Sequence, residues 1–245
     1  MMLRKSFLFI LLILAFQACK KDSSPTPASS STHPNNSGTL FNGWFTPIAN
    51  ISWSHRSAGP VSYSAVTHLS ITAQAFGPTA SAHCGTILVN GTTLQFNTLI
   101  NAYLDSTYTL NLSSQKNFQF ISSVLPSFTY NVPDSFPVYP VSNAALISDT
   151  VVRANGLIIP LSNARLYDQV NCSLFDQSSG SNFVYKNGLT GINQLLFTPA
   201  DLSVYSAGAT ISCKVLLIKN RTLTISGVNY TFGIQTAANY TLLVQ

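Results

Sequence analysis

The chain has 245 residues, of which only 8% are charged, and its formal net charge is +5. Four of its twelve basic residues lie within the first 21 positions, and glutamate is absent. From residue 38 onward there are eight basic residues and six aspartates, a net charge near +2 (8 − 6) with no basic cluster. Nucleic-acid binding requires clustered Lys and Arg that displace counterions from phosphates, so this composition excludes it.

The first 22 residues have the pattern of an export signal. Two basic residues precede an apolar run over 7–16, which is about half as long as a segment that crosses a bilayer. Ala18 is followed by Cys19 and then by the charged run Lys20-Lys21-Asp22. This arrangement resembles the lipobox of bacterial lipoproteins, in which the cysteine thiol receives diacylglycerol and becomes the mature N-terminus.

The charged run and the Ser/Pro/Thr-rich segment behind it are similar to those of Bacteroidota lipoproteins. The resemblance implies a signal peptide at 1–18, lipid on Cys19 and the membrane as a partner through that lipid. It also implies an outer-membrane location, on either the periplasmic or the cell-surface face. Each buried CH₂ contributes about 0.8 kcal/mol, so two or more acyl chains anchor stably. Phe16 and Gln17 depart from the lipobox preference, which leaves simple cleavage after Ala18 and an uncleaved anchor as alternatives.

Residues 19–38 are predicted to form the lipidated N-terminus and a disordered tether. The segment from Ser23 to Ser37 is rich in Ser, Pro and Thr and has no apolar periodicity. A coil of about 15 residues averages roughly 20 Å from end to end. We therefore expect the tether to hold the folded part away from the lipid headgroups.

From residue 39 onward, short apolar–polar alternations separated by turn residues predict β-strands. The segment 61–73 alternates at period 2 over an unusual length. Asn90-Gly91 predicts a type I′ hairpin, because that turn needs positive φ at both central positions. Further strands in this half are predicted at 103–112 and 118–124.

The second half has the same pattern. Asn155-Gly156 predicts another hairpin between strands at 149–154 and 157–161. Thr198-Pro199-Ala200-Asp201 has the N-cap, the N1 proline and the N3 acid of a short helix. The remaining strands are predicted at 165–175, 209–219, 222–225, 228–232 and 240–244.

Many short strands without a βαβ rhythm predict an all-β protein. We expect two tandem immunoglobulin-like β-sandwiches, at 39–135 and 136–245, with the boundary at the proline-rich segment 133–141; one large sandwich is the alternative. The order Asp201-Leu202, Tyr205 and then a strand with Cys213 resembles the corner before the F strand of immunoglobulin-like domains.

Two cysteines fall within predicted strands of the second half. Cys172 and Cys213 would be exported, and a disulfide between them would stabilise the fold by up to about 4 kcal/mol on the chain-entropy model. The alternative is two separate buried thiols that pack as small apolar groups. Cys84 would then be an unpaired, buried residue.

Catalytic and metal chemistry has weak support in the sequence, and we expect no cofactor, no metal and no enzymatic activity. His83 and Cys84 are adjacent, so a strand directs them to opposite faces, away from a common site with His55 and His68. Glycoside hydrolysis needs two nearby carboxyl groups, and the aspartates nearest to this pattern, at 168 and 176, lie at the two ends of one predicted strand. An enzyme of unrecognised type is the third hypothesis for the function of the chain.

Aromatic residues cluster at the start of the first predicted sandwich. Trp44 and Trp53, with Phe41 and Phe45 nearby, could stack on sugar rings, although such residues in a sandwich commonly belong to the core. The expected function is therefore a non-enzymatic structural, adhesive or ligand-presenting lipoprotein. The alternative is a glycan-binding accessory protein of a nutrient-uptake system.

Two tripeptides resemble the O-glycosylation acceptor of Bacteroidota. They are Asp105-Ser106-Thr107 and Asp149-Thr150-Val151. Each has an aspartate followed by a hydroxyl residue, and sequences this short also occur by chance. The resemblance implies modification of the hydroxyl residue in an exported protein.

Overall fold

The computed structural model of the chain describes residues 39–54, 57–73, 77–81, 85–100, 102–105, 110, 112, 115–123, 126–177 and 182–245. Between 39 and 81, side chains are described only for residues 64–66. The predicted signal peptide, Cys19 and the tether lie outside the described residues, as do His55, His83 and Cys84.

The described chain is an all-β sandwich, as the sequence predicts, with two one-turn helices, α1 (Val141–Ala144) and α2 (Pro199–Leu202). The first nine strands are β1 (Thr39–Ser54), β2 (Ser57–Ala73), β3 (Gly77–Ser81), β4 (Thr86–Val89), β5 (Thr92–Thr93), β6 (Gln95–Asn97), β7 (Ala102–Leu104), β8 (Asn117–Ile121) and β9 (Phe128–Asn131). The remaining seven are β10 (Thr150–Val151), β11 (Leu157–Pro160), β12 (Gln169–Asp176), β13 (Phe183–Leu189), β14 (Gln194–Phe197), β15 (Thr210–Ile225) and β16 (Val228–Val244).

One large sheet dominates the fold. Its order is β13-β12-β15-β16-β1-β2-β7-β6, with β10 added beside β16 and β3 beside β2. β1 pairs with β16 in parallel, so the first and the last strands of the described chain lie side by side. A four-stranded sheet, β5-β4-β8-β9, and a two-stranded sheet, β11-β14, complete the described sheets.

The long hairpin β15–β16 differs from the prediction, which divided residues 209–244 into four strands. The polar pair Asn220-Arg221 resembles a turn in the sequence, but its residues pair across to Gly233 and Phe232 without a break. The turn lies at Ser226-Gly227, between the predicted strands 222–225 and 228–232, and its φ angles are 49° and 79°. Positive φ at both central positions matches the right-handed twist of the two strands, which explains why this pair closes the hairpin.

The hairpin takes part in two hydrophobic cores. Near its base, Cys213, Val215 and Tyr240 pack with β11, β12 and β14. Near its tip, Tyr230 and Phe232 pack with residues of the four-stranded sheet. The alternation along both strands is unbroken, so both small sheets cover the same face of the large sheet.

Both proposed sandwich domains therefore share this hairpin. The core of the first half includes Tyr230, Phe232 and Ile234 from the second half. An Arg221–Asp134 ion pair also ties the hairpin to the proline-rich segment, with a second contact of 3.1 Å between Arg221 Nη2 and Asp134 Oδ1. The tandem division at 135/136 stays a prediction, and in the large sheet the strands of the second half adjoin those of the first half where β16 pairs with β1.

Two of the predicted turns and caps are confirmed, and a third is wrong. Asn90-Gly91, with φ of 48° and 81°, joins β4 to β5, and Thr198 caps α2 in a reciprocal capping box with Asp201. The predicted hairpin at Asn155-Gly156 is wrong, because a 3-10 turn (Arg153–Asn155) leads into it. The flanking strands β10 and β11 belong to different sheets.

Two predicted strands have different bounds. The strand predicted at 165–175 begins at Gln169, because Leu166 has φ of 62° and interrupts the extended backbone. Of the strand predicted at 103–112, only the first two residues are found in a strand, as part of β7 (Ala102–Leu104). Several of its later residues lie outside the described ranges.

Candidate functional site

The outer face is defined here as the face of the large sheet opposite the Cys172–Cys213 core. Because side chains alternate along a strand, every second residue of β12, β13, β15 and β16 lies on it. Cross-strand pairing aligns these residues in rows. The four rows are Phe183–Phe175–Ser212–Thr241, Tyr185–Ser173–Lys214–Asn239, Asn187–Asn171–Leu216–Ala237 and Leu189–Gln169–Ile218–Gln235.

The edge of the outer face exposes large apolar side chains. β13 is the terminal strand of the large sheet. On it, Phe183 is 37% exposed, Tyr185 is 46% exposed and Leu189 is 70% exposed. A row of exposed apolar residues along an edge strand is uncommon in a protein that has no partner there, because such edges favour contact.

The two aromatic rings of this row form a pair. The ring planes of Phe183 and Tyr185 are within 17° of parallel, and their centroids are 6.5 Å apart. The spacing follows from the strand, which places residues i and i+2 on one face about 6.6 Å apart. Burial raises the pKa of Tyr185, while a hydrogen bond with the side chain of Asn187 lowers it in part. The tyrosine ring is therefore held by its neighbour on the strand.

Amide side chains continue the outer face beside the rings. Gln169 Nε2 donates to Asn171 Oδ1 over 2.9 Å, and both residues are partly exposed. Asn171 is paired in register with Asn187, whose side chain contacts Tyr185. These amides provide donors and acceptors next to the two aromatic rings.

One cation lies in the interior of the outer face. Lys214 is only 7% exposed, and burial lowers its pKa from the usual 10.5 to about 8. Among the described residues, no carboxylate lies within ion-pair distance of its ammonium group. Its row neighbours on β12 and β16 are Ser173 and Asn239, which are neutral.

The large sheet curls over part of this face. Val66, Ala102 and Ala237 are in one buried cluster, although β1 and β2 separate β7 from β16 in the sheet. Leu216 packs against the same cluster, and Lys214 is its neighbour on the outer face of β15. The curl therefore brings covering side chains close to the lysine.

The tryptophans predicted to bind sugar lie on β1, and their side chains are outside the described part. Their backbones pair with Thr231 and Tyr240 of β16. Trp44 and Trp53 are nine positions apart on one strand, a span of about 30 Å at 3.3 Å per residue. A joint platform would therefore need a ligand that extends along the strand, and the two-tryptophan platform stays a prediction.

The structure brings the two core cysteines together as thiols. Cys172 Sγ and Cys213 Sγ are 3.8 Å apart on neighbouring strands, and both residues are fully buried. Burial, followed by the hydrogen bond with Cys213, raises the pKa of Cys172 well above its usual value. A disulfide between Cys172 and Cys213 stays a prediction. The two sulfurs lie close to each other as thiols.

The other predicted site residues do not converge in the described chain. His68 lies in β2, and its side chain is outside the described part. Asp168 accepts a hydrogen bond from the backbone of Asn220, whereas Asp176 is buried at the other end of β12, about 26 Å away at 3.3 Å per residue. No group of three or more His, Cys or Asp side chains in the described ranges could hold a metal ion.

The two glycosylation tripeptides have different settings. Ser106 and Thr107 lie outside the described residues, whereas Asp105 is buried. Thr150 lies in β10, which pairs with the end of β16, and is partly exposed. Modification of either tripeptide stays a prediction.

Strand β13, and with it the aromatic pair, was not predicted from the sequence. The strand carries apolar residues on both faces, with Val184 on one and Phe183 and Tyr185 on the other, so it lacks a binary pattern. The available signal was Phe-x-Tyr-x-Asn spacing, which places two rings and an amide on one face of any strand at this position.

Neither protein-family models nor curated proteins give a match to this chain. Among the described residues, no helix combines the length and the apolar character that a membrane span requires.

Proposed function

We propose that this protein is a non-enzymatic binding module of the cell envelope, attached through lipid on Cys19, and that its outer face binds glycan. The exposed, nearly parallel pair of Phe183 and Tyr185 is the observation that carries this proposal. Aromatic rings provide a flat apolar surface for the C–H faces of sugar rings, while neighbouring amides satisfy sugar hydroxyls.

The chemistry of the surroundings favours a sugar over a protein ligand. Near the rings, the outer face carries exposed or partly exposed amide side chains, including Asn187, Asn171 and Gln169. A sugar displaces water from such groups and replaces each lost hydrogen bond with its own hydroxyls, so few buried polar groups remain unpaired. The low charge of the chain gives little electrostatic steering for an oppositely charged protein.

The position on an edge strand suits an extended glycan. The exposed side chains of Phe183, Tyr185, Asn187 and Leu189 follow one another along β13. A row of this kind provides successive contacts to successive sugar units. We therefore expect oligosaccharides to bind more tightly than monosaccharides, because each additional unit adds a contact without a second loss of translational freedom.

A glycan array probed with the purified full chain tests the proposal. We expect binding to at least one class of oligosaccharide and a loss of at least ten-fold in affinity for Tyr185→Ala and for Phe183→Ala. Leu196→Ala is the matched control, because Leu196 is 47% exposed on another strand, nearly the same exposure as Tyr185. The control should bind as the unmodified chain does.

Two outcomes would overturn the proposal. Equal binding by the unmodified chain and by Tyr185→Ala would exclude the aromatic pair as the contact surface. Absence of binding to every oligosaccharide, combined with concentration-dependent dimers that Leu189→Ala and Tyr185→Ala abolish, would identify β13 as a contact between two copies. Sedimentation of the same samples distinguishes these cases.

A further inference from the structure

The proposed glycan site contains a positive charge that has no ion-pair partner among the described residues. Lys214 lies in the same cross-strand row as Tyr185, with Ser173 between them. Two strand spacings of about 4.8 Å place the backbones of the lysine and the tyrosine roughly 10 Å apart. Tyr185 and Lys214 thus lie on one face of the sheet within the length of a single oligosaccharide, the tyrosine 46% and the lysine 7% exposed.

The patch is free of acidic side chains. None of the sixteen positions of the four rows is an aspartate, and the chain has no glutamate. The aspartate at the end of β12, Asp176, pairs with Ile211 and therefore lies on the opposite face of the sheet. Around Lys214 the nearest positions on the outer face carry two serines, an asparagine and a leucine, at 173, 212, 239 and 216.

A cation in this setting carries an energetic cost. A charged group that is nine-tenths buried loses most of its hydration, and an opposite charge or strong hydrogen bonds normally offset that loss. Lys214 has neither an ion pair nor an acidic neighbour among the described residues. A bound anion would provide the missing charge, and the hydroxyl and amide groups around the lysine are donors that a carboxylate accepts from.

We propose that the outer face selects acidic glycans, in which a uronic acid carboxylate contacts Lys214 while an adjacent sugar stacks on Tyr185. This inference rests on the proposed glycan function and adds the ligand class. Lys214 is the specificity residue of the site, and the aromatic pair supplies the affinity that acidic and neutral sugars share.

Matched pairs of oligosaccharides test the charge selection. The probes are oligomers of galacturonate, mannuronate and glucuronate, each compared with its own carboxyl-reduced form, which keeps the backbone and removes the charge. We expect the full chain to bind at least one uronate at least ten-fold more tightly than its reduced form. Lys214→Met should abolish that preference and leave the affinity for the neutral form within two-fold.

The controls separate a loss of charge from a loss of structure. Lys186→Met removes the same charge from β13, but Lys186 lies on the opposite face and pairs with Asp201 over 2.9 Å. It should keep the preference for uronate. Lys214→Arg restores a cation in the site and should restore a preference of at least three-fold. Circular dichroism of each variant establishes that it has folded.

The results distinguish this inference from the proposed function. Binding of both members of every pair with equal affinity would overturn the acidic preference and leave glycan binding intact. An unchanged preference in Lys214→Met would overturn the role of the lysine. Absence of binding to all of these probes would overturn the acidic preference, whereas the glycan array decides separately whether the proposed function stands.

Discussion

Tyr185 and Lys214 lie on either side of Ser173 in one cross-strand row, the tyrosine exposed at the edge of the sheet and the lysine nearly buried. This relationship combines the two properties of the outer face that matter for binding. The edge provides aromatic surface, and the interior provides a cation that forms no ion pair within the described part of the chain. Both arise from the regular pairing of β13, β12 and β15.

The cost of burying Lys214 predicts an unusual dependence of stability on pH. Burial lowers its pKa from 10.5 to about 8, so between these values the unfolded chain binds more protons than the folded chain. The free energy of unfolding therefore rises with pH in this window, by roughly 2 kcal/mol from pH 8 to pH 9.5. Above pH 10 the trend reverses, because burial raises the pKa of Tyr139, Tyr205 and Tyr240, and their unfolded forms ionise first.

Urea unfolding of the full chain and of Lys214→Met checks this expectation. At pH 7 the variant should be the more stable by about 2–3 kcal/mol, because the removed ammonium group is buried without a partner. The difference should shrink as the pH rises to 9.5, where the lysine is mostly neutral. A difference that stays constant from pH 7 to pH 9.5 would show that the lysine is not desolvated.

The shared hairpin predicts that neither half of the chain folds alone. Phe118, Phe120 and Phe128 are buried in part by Tyr230 and Phe232 from the other half. Removing such large buried rings costs about 3–5 kcal/mol each, which is comparable to the total stability of a small domain. We expect fragment 39–135 to be unfolded or aggregated by circular dichroism and by the dispersion of its NMR spectrum.

Co-expression of fragments 39–135 and 136–245 is the matched experiment. The two fragments should associate and recover the spectrum of the intact chain, since β1 pairs with β16 and the core of the first half is completed by the hairpin. A well-dispersed spectrum from fragment 39–135 by itself would support independent tandem domains and contradict this expectation.

The sequence was informative where neighbouring residues decide the structure. Period-2 alternation identified β2, positive-φ residues identified the Asn90-Gly91 turn, and the N-cap pattern identified α2. Each of these rests on backbone or capping chemistry within a few residues. Such signals specify elements, and they do not specify which elements pair.

The features missed by the sequence analysis depend on distant residues. The parallel pairing of β1 with β16 joins positions 187 apart, such as Asn42 and Asn229, and no local pattern encodes it. β13 carries apolar residues on both faces, so alternation could not assign an outer face to Tyr185. Lys214 lies within a predicted strand, and its burial follows from the curl of the whole sheet and from packing across it.

The two core cysteines predict a redox-dependent stability. Their sulfurs are 3.8 Å apart, and a disulfide of about 2.05 Å requires only a small movement of the side chains. We expect the exported chain to contain this bond. Reductant should then lower the free energy of unfolding by up to about 4 kcal/mol, because the bond closes a loop across 41 positions.

Chemical unfolding with and without reductant measures this effect, and Cys213→Ala is the control. The variant cannot form the bond, so its stability should not respond to reductant. Peptide mapping should find residues 172 and 213 joined in the unmodified chain. Full alkylation of both thiols after unfolding without reductant would contradict the disulfide and favour two packed thiols.

The lipid anchor predicts a change of cellular fraction. Metabolic labelling with a fatty acid should label the full chain, and Cys19→Ser should abolish the label and release the protein from the membrane fraction. Cys84→Ser is the control, and it should keep both label and location. A labelled Cys19→Ser variant, or unmodified protein without label, would contradict attachment at Cys19.

The central claim is that the outer face of β12, β13 and β15 is the contact surface for glycan. Titration of the isotope-labelled full chain with the tightest-binding oligosaccharide, followed by amide chemical shifts, tests it most directly. We expect the largest shifts at 183–189, with smaller shifts at 169–175 and around Lys214. Shifts confined to β1 near Trp44 or Trp53, with β13 unchanged, would contradict it.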